Sequence, residues 1–136
     1  MKTYTRWSFA LRTLGICAAC SPCLLHAASG TWNGTESVLW TNSMNWSAAP
    51  YPTGNDTASF MGTGNGNTQI DLTGLVAIKS ITFDSANAAG YTIGSGGVDA
   101  QTLNLVTDGQ ITLSSPVVAD QTVAALVQLP GNYTLI

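Results

Sequence analysis

The chain has 136 residues, enough for one domain, and beyond residue 29 it carries a single cation, Lys79. Against it stand Glu36, Asp56, Asp71, Asp84, Asp99, Asp108 and Asp120, a formal charge of 1 − 7 = −6 over residues 30–136. One cation cannot neutralise a run of phosphates or anionic headgroups, which excludes nucleic acid and an acidic membrane surface as partners.

Residues 1–29 read as a secretory signal peptide. Lys2, Arg6 and Arg12 form a basic start, residues 14–25 are mostly apolar or small, and Ala27-Ala28-Ser29 offers the small residues that signal peptidase accepts, so cleavage is expected near Ser29. The apolar run is interrupted by Ser21-Pro22 and falls short of the roughly 20 residues a membrane span needs, so no transmembrane anchor is expected. An ordinary N-terminal helix is the alternative, but no 3.6-residue period supports it. Cys17, Cys20 and Cys23 and the only histidine, His26, fall inside this leader. Their C-x-x-C-x-x-C spacing resembles a metal ligand set, but a cleaved leader holds no structural zinc. Acylation at Cys20 would need the leading Leu of a lipoprotein signal, and Cys17 stands there instead. The expected location is secreted, extracellular or at the cell surface.

Residues 30–62 form a Trp-rich segment. "TWNGTESVLWTNSMNWS", residues 31–47, holds Trp32, Trp40 and Trp46 at even spacings among Gly, Asn, Ser and Thr. If the segment makes two short strands turning near Thr41-Asn42-Ser43, the three rings share a face. Two roles compete. The indoles can cap the apolar cross-section of a small fold. Alternatively, they form an exposed platform that stacks on sugar rings, with Trp32, Trp40 and Trp46 as ligand-binding residues and an extracellular carbohydrate or surface as partner. "AAPYPTGND" follows as a turn region, and Ala58-Ser59-Phe60-Met61 as a short strand. "GTGNGN", residues 62–67, reads as a flexible connection, because no Lys or helix follows to make it a phosphate loop.

Residues 63–136 repeat an apolar–polar–apolar triplet: Ile70-Asp71-Leu72, Ile81-Thr82-Phe83, Tyr91-Thr92-Ile93, Leu103-Asn104-Leu105, Ile111-Thr112-Leu113, Val127-Gln128-Leu129 and Tyr133-Thr134-Leu135. Such alternation puts the outer two residues of each triplet on one face of a strand. Only residues 119–126 leave a helix open. Strands of three to five residues, a single Asp-Gly hairpin signal at Asp108-Gly109, and Thr or Asn recurring at the outward position favour stacked coils of roughly 20–30 residues. The fold class is therefore all-β: a short parallel β-solenoid (β-helix) with a Trp-rich N-terminal cap, a β-sandwich being the alternative.

Trp40, Asn45-Trp46-Ser47, Pro52, Asp56, Ala58 and Phe60, followed by Ile78, Ile81, Phe83-Asp84, Tyr91, Ile93, Leu103, Leu105, Gly109, Ile111 and Leu113, resemble the start of bacterial autotransporter-associated β-strand repeat proteins. The resemblance covers about residues 31–118. It implies a secreted or outer-membrane-associated protein with a parallel β-helix passenger region. These 136 residues carry no translocating barrel or sorting tail, so the resemblance implies either the N-terminal part of such a protein, through truncation or gene decay, or a minimal secreted relative.

The chemical inventory is thin. Beyond residue 29 there is no His, Cys or Arg, which removes thiol nucleophiles, Ser-His-Asp triads and the usual zinc ligands, so no enzyme, catalytic residue, metal or cofactor is expected. Paired carboxylates among Asp71, Asp84 and Asp108 are the remaining hydrolytic option, weighed against aspartates that cap turns. No calcium-loop spacing occurs; Gly94-Ser95-Gly96-Gly97-Val98-Asp99 departs from the nonapeptide pattern. Asn33, Asn45, Asn55 and Asn132 each open an N-x-S/T triplet, which a bacterial context leaves unmodified. The expected product is a secreted, non-enzymatic structural or adhesive module. Strand edges left open at the C-terminal end would pair with another copy. A carbohydrate-binding module and the remnant of a polysaccharide-acting β-helix are the alternatives.

Overall fold

The computed structural model describes residues 28–131. In chain order the strands are β1 (Gly30–Thr31), β2 (Thr57–Phe60), β3 (Gln69–Ile70), β4 (Leu75–Phe83), β5 (Thr92–Ile93), β6 (Thr102–Leu113), β7 (Thr122–Val123) and β8 (Leu126–Gln128). One sheet has the order β1-β2-β4-β6-β8 and a second the order β3-β5-β7. Every strand pair is parallel. A parallel bridge from Leu39 to Asp71 extends the second sheet by one rung. The described residues thus wind a parallel β-solenoid of about four turns, without an α-helix. Parallel pairing between rungs removes the sandwich alternative, whose sheets are antiparallel.

The period-two pattern stacks like on like. Ala58, Ile81 and Ile111 form one inward column, and Phe60, Phe83 and Leu113 the next. On other sides Val76, Leu103 and Val127 align, as do Ile70, Ile93 and Val123. Burying Phe60, Ile70, Ile81, Phe83, Ile93 or Leu103 contributes about 1.5–3 kcal/mol each against leaving it exposed, whereas Ile111, Leu113 and Val127, the last members of their columns, remain partly exposed. Polar residues hold the outward columns: Thr31, Ser59, Thr82 and Thr112 occupy successive rungs of one face.

The coils turn on side-chain hydrogen bonds as well as on glycine. At one corner the Gln101 Oε1 accepts from the backbone N–H groups of Leu72 and Ser95, while its Nε2 donates to Asp71 Oδ1 at 2.6 Å. At another corner, before β7, Gln121 accepts from Tyr91 N–H and donates to the carbonyls of Ala89 and Ala119. Each amide therefore satisfies backbone groups that a corner withdraws from the sheet ladder.

One local expectation, the strand length, is corrected, and two stretches with ambiguous local signals are decided. Two strands exceed three to five residues: β4 has 9 and β6 has 12, because each runs on past an interruption of its pairing without a chain break. Asp108-Gly109 makes no hairpin. Ile78 pairs with Leu105 and Ser80 with Gln110, so residues 106–109 stand opposite Lys79 as a bulge, with Asp108 at φ 59°. A Cβ added at Gly109 would lie 2.6 Å from the Val106 carbonyl oxygen, which is why glycine closes that bulge. Residues 119–126 hold β7 and no helix.

The Trp-rich segment also turns out not to stand apart from the coils. β1 and β2 both lie within residues 30–62 and are the first two rungs of the larger sheet, so the cap and the first coil are one unit. The two ends differ. The N-terminal end is closed by buried indoles, whereas at the other end Leu113, Leu126, Val127 and Leu129 are exposed, Leu113 by 59%. Residues 1–27, on which the expected signal peptide with Cys17, Cys20, Cys23 and His26 falls, and Asn132 with the Tyr133 triplet lie outside the described residues.

Candidate functional site

The cap is built from the backbone outward. Trp32 continues β1 and donates its N–H to Ser59 O at 2.8 Å; it also bridges Trp46 in antiparallel fashion. Trp40 is tied to the second sheet through its N–H to Asp71 O, and Asp71 N–H returns to Val38 O. Between Trp40 and Trp46 the chain makes one 3₁₀ turn, Ser43–Asn45, whose start is capped by the Asn42 side chain accepting from Met44 N–H. Asn45 holds the loop together. It is fully buried; its Oδ1 accepts from the backbone N–H groups of Glu36 and Ser37, and its Nδ2 donates to Ser37 Oγ and Leu39 O.

This frame brings the three indoles into one cluster. Trp32 and Trp40 each meet Trp46 edge to face, at centroid distances of 5.0 and 4.8 Å, and all three rings lie within 6.2 Å of the Phe60 ring. Phe60 stacks on Phe83 and touches Tyr91, so aromatic packing runs from the cap into the second and third coils. Each indole N–H is used internally: Trp32 donates to Asn67 O, Trp40 to Pro52 O and Trp46 to Trp40 O. Exposure is 1%, 0% and 5% for Trp32, Trp40 and Trp46. The expectation of a flat, exposed sugar platform formed by these three residues is therefore corrected. Their faces are covered by one another and by Phe60, because an apolar solenoid cross-section needs a lid.

What the cap does offer to solvent lies at its edge. A shallow depression of about 380 Å³ opens where the turn after β1 meets the turn after β2. Its exposed lining is Asn33, Thr35, Thr63 and Asn65, and its buried lining includes Trp32 and Gly64. "GTGNGN", read as a connection, contains a short 3₁₀ turn, Gly64–Gly66, with Asn65 at φ 51°. Gly64 is pressed against the cap: a Cβ there would lie 2.7 Å from the Tyr91 hydroxyl, and one on Gly34 would run into the Gly64 carbonyl oxygen. The Tyr91 hydroxyl donates to Gly62 O at 2.8 Å, and burial pushes its pKa up to about 12. Thr35 Oγ1 donates to Met44 O, whereas the side chains of Asn33, Thr63 and Asn65 make no hydrogen bond among the described residues.

Asp71, Asp84 and Asp108 stand on different elements. Asp71 is bound into a corner, where hydrogen bonds from Gln101, Thr73 N–H and Ser95 hold its pKa below the usual carboxylate value. Asp84 and Asp108 are exposed, the first after β4 and the second in the β6 bulge. No group of three or more His, Cys, Asp or Glu that could hold a metal occurs among the described residues. Of the N-x-S/T asparagines, Asn45 is closed off by burial while Asn33 and Asn55 are exposed.

Sequence reasoning named Asn45 without its clamping role and did not single out the rim of the depression. The one signal for the rim was the density of Gly and Asn in "GTGNGN", residue types that tolerate the left-handed region. No family model, curated protein or solved structure matches the chain.

Proposed function

We propose that the protein is a secreted or surface-exposed β-solenoid module with a structural or adhesive role rather than a catalytic one, comparable to the N-terminal part of an autotransporter-associated repeat protein. The observation that carries this reading is the inequality of its two ends. Indoles seal one cross-section completely, while the far rungs display Leu113, Leu126 and Val127 on a parallel sheet that other strands can continue. Such a body serves as the closed tip of a longer stack or as one half of an association. The acidic surface, with Lys79 as the lone cation beyond residue 29, suits a soluble extracellular element.

The test has two arms. The chain with its own leader is expressed in a diderm bacterial host, and the N-terminus of the exported product is sequenced. A start near Ser29 supports the reading, whereas retention of an uncleaved chain in the cytoplasm overturns its location. Polysaccharides are then incubated with the protein and reducing ends are measured. Release that disappears in Asp84→Asn would replace the structural reading with a hydrolytic one.

A further inference from the structure

We infer that the depression at the cap edge is a binding subsite for a neutral, polyhydroxylated ligand, the end or a short stretch of an uncharged glycan. This inference rests on the adhesive reading above and gives it a contact point.

Three observations converge on this place. The first is chemistry. Every residue lining the depression is uncharged, and its exposed lining is two side-chain amides and two hydroxyls. The amides of Asn33 and Asn65 and the hydroxyl of Thr63 have no partner among the described residues. An amide offers two donors and two acceptor lone pairs, and a hydroxyl offers both roles, which matches the paired donor–acceptor character of sugar hydroxyls. A charged ligand would find no counter-ion in the lining, and an apolar one would strand the amides.

The second observation is rigidity. Asn65 is a non-glycine residue held at φ 51°, and Gly34, Gly64 and Gly66 around it also have positive φ. Gly34 and Gly64 approach so closely that neither accepts a side chain. The Asn67 side chain clamps the two turns by donating to Gly34 O at 2.7 Å. The polar groups therefore stand on a fixed backbone, and binding need not first order a loop. The third is position. The donors that would otherwise compete for the site are already used inward: Trp32 Nε1 is committed to Asn67 O and the Tyr91 hydroxyl to Gly62 O. The cap closes the core and leaves its unpaired amides facing outward.

The test is a nuclear magnetic resonance titration of the secreted chain with glucose, mannose, galactose and N-acetylglucosamine, with glucuronate and glycerol in parallel. At least one neutral sugar is expected to shift the amides of residues 33–35 and 62–66 saturably in the millimolar range, while leaving those of β4 and β6 unmoved. Asn65→Gly removes the amide at a position where glycine is conformationally suited, and Asn33→Ala removes the other. Each variant is expected to weaken binding about threefold to tenfold, the range for one lost hydrogen bond, with an unchanged melting temperature. Thr112→Ala, on the outer sheet face, is expected to bind as the parent does. Three results overturn the inference: no neutral sugar shifting these amides in a folded sample, equal shifts from glycerol or glucuronate, or affinity unaffected by both Asn variants. None of them bears on export or on the absence of hydrolysis, so the adhesive reading stands or falls separately.

Discussion

Trp46 donates its indole N–H to the main-chain carbonyl of Trp40 at 2.7 Å, and the two rings meet edge to face with centroids 4.8 Å apart. The contact joins the two arms of the cap loop at the point where both rings cover Phe60. Trp40→Ala would open a cavity against Trp46 and Phe60 and leave Pro52 O without its donor. The expected loss is about 3–5 kcal/mol in denaturant unfolding, as for other large core truncations. Trp40→Phe is expected to lose less, since the ring contact survives. An Ala variant as stable as the parent would show that the cap does not close the core.

Asn45 binds four partners from a fully buried position. Asn45→Ala leaves a cavity at a fully buried position and removes the acceptor of the part-buried N–H groups of Glu36 and Ser37 and the donor to Leu39 O, losses of up to about 1–3 kcal/mol for each group left without a partner. The expected outcome is a loss of at least about 2 kcal/mol, with hydrogen exchange at Glu36 and Ser37 accelerated before that of β4. Equal acceleration throughout the chain would mean that the loop has no separate stability.

Tyr91 carries the alkaline limit. Its folded pKa is raised to about 12, above the unfolded value of about 10. The folded state thus retains a proton that the unfolded state releases. Stability from this group is fully present below pH 10 and is lost as pH rises toward about 12. Urea midpoints measured across that window should fall more steeply for the parent than for Tyr91→Phe. The variant also lacks the bond to Gly62 O, a constant offset of about 1 kcal/mol.

Asp71 acts at the other end of the scale. Its folded pKa is lowered, chiefly by the Gln101 side chain and then by Thr73 N–H. Its contribution is present above the ordinary carboxylate pKa and disappears as pH falls through the lower folded value. Gln101→Ala should move the Asp71 carboxyl resonance titration to higher pH and flatten the acid limb of stability. A titration unchanged by that substitution would remove Gln101 as the cause.

The exposed rungs at the C-terminal end make self-association the expected behaviour. Leu126 and Val127 are 43% and 37% exposed on β8, whose single strand neighbour among the described residues is β6. Sedimentation should show a concentration-dependent increase in mass, reduced in Val127→Lys because a charge on an edge strand disfavours pairing. A monomer at all concentrations would count against the open-end argument.

The residue pattern by itself determined an all-β chain of short stacked strands and favoured the solenoid, and the parallel pairing decided it against a sandwich. Alternation in triplets such as Ile81-Thr82-Phe83 and Leu103-Asn104-Leu105 dictates a buried and an outward face wherever a strand forms, and the triplet spacing sets the coil length. It also determined the poverty of catalytic groups beyond residue 29. What the sequence left open was decided by contacts between residues far apart in the chain. Whether Trp32, Trp40 and Trp46 faced water depended on Phe60 standing one coil away beneath them. Whether Asn45 was a surface sequon or a buried clamp depended on the path of residues 36–39 around it. Whether Asp108-Gly109 turned a hairpin or a bulge depended on the next rung being parallel. The depression arises only where the turns after β1 and β2 come together, held by Asn67 and by the close approach of Gly34 to Gly64. Local periodicity encodes which face of a strand is apolar; it does not encode which distant side chain completes that face, and the cap and the depression beside it are built from such completions.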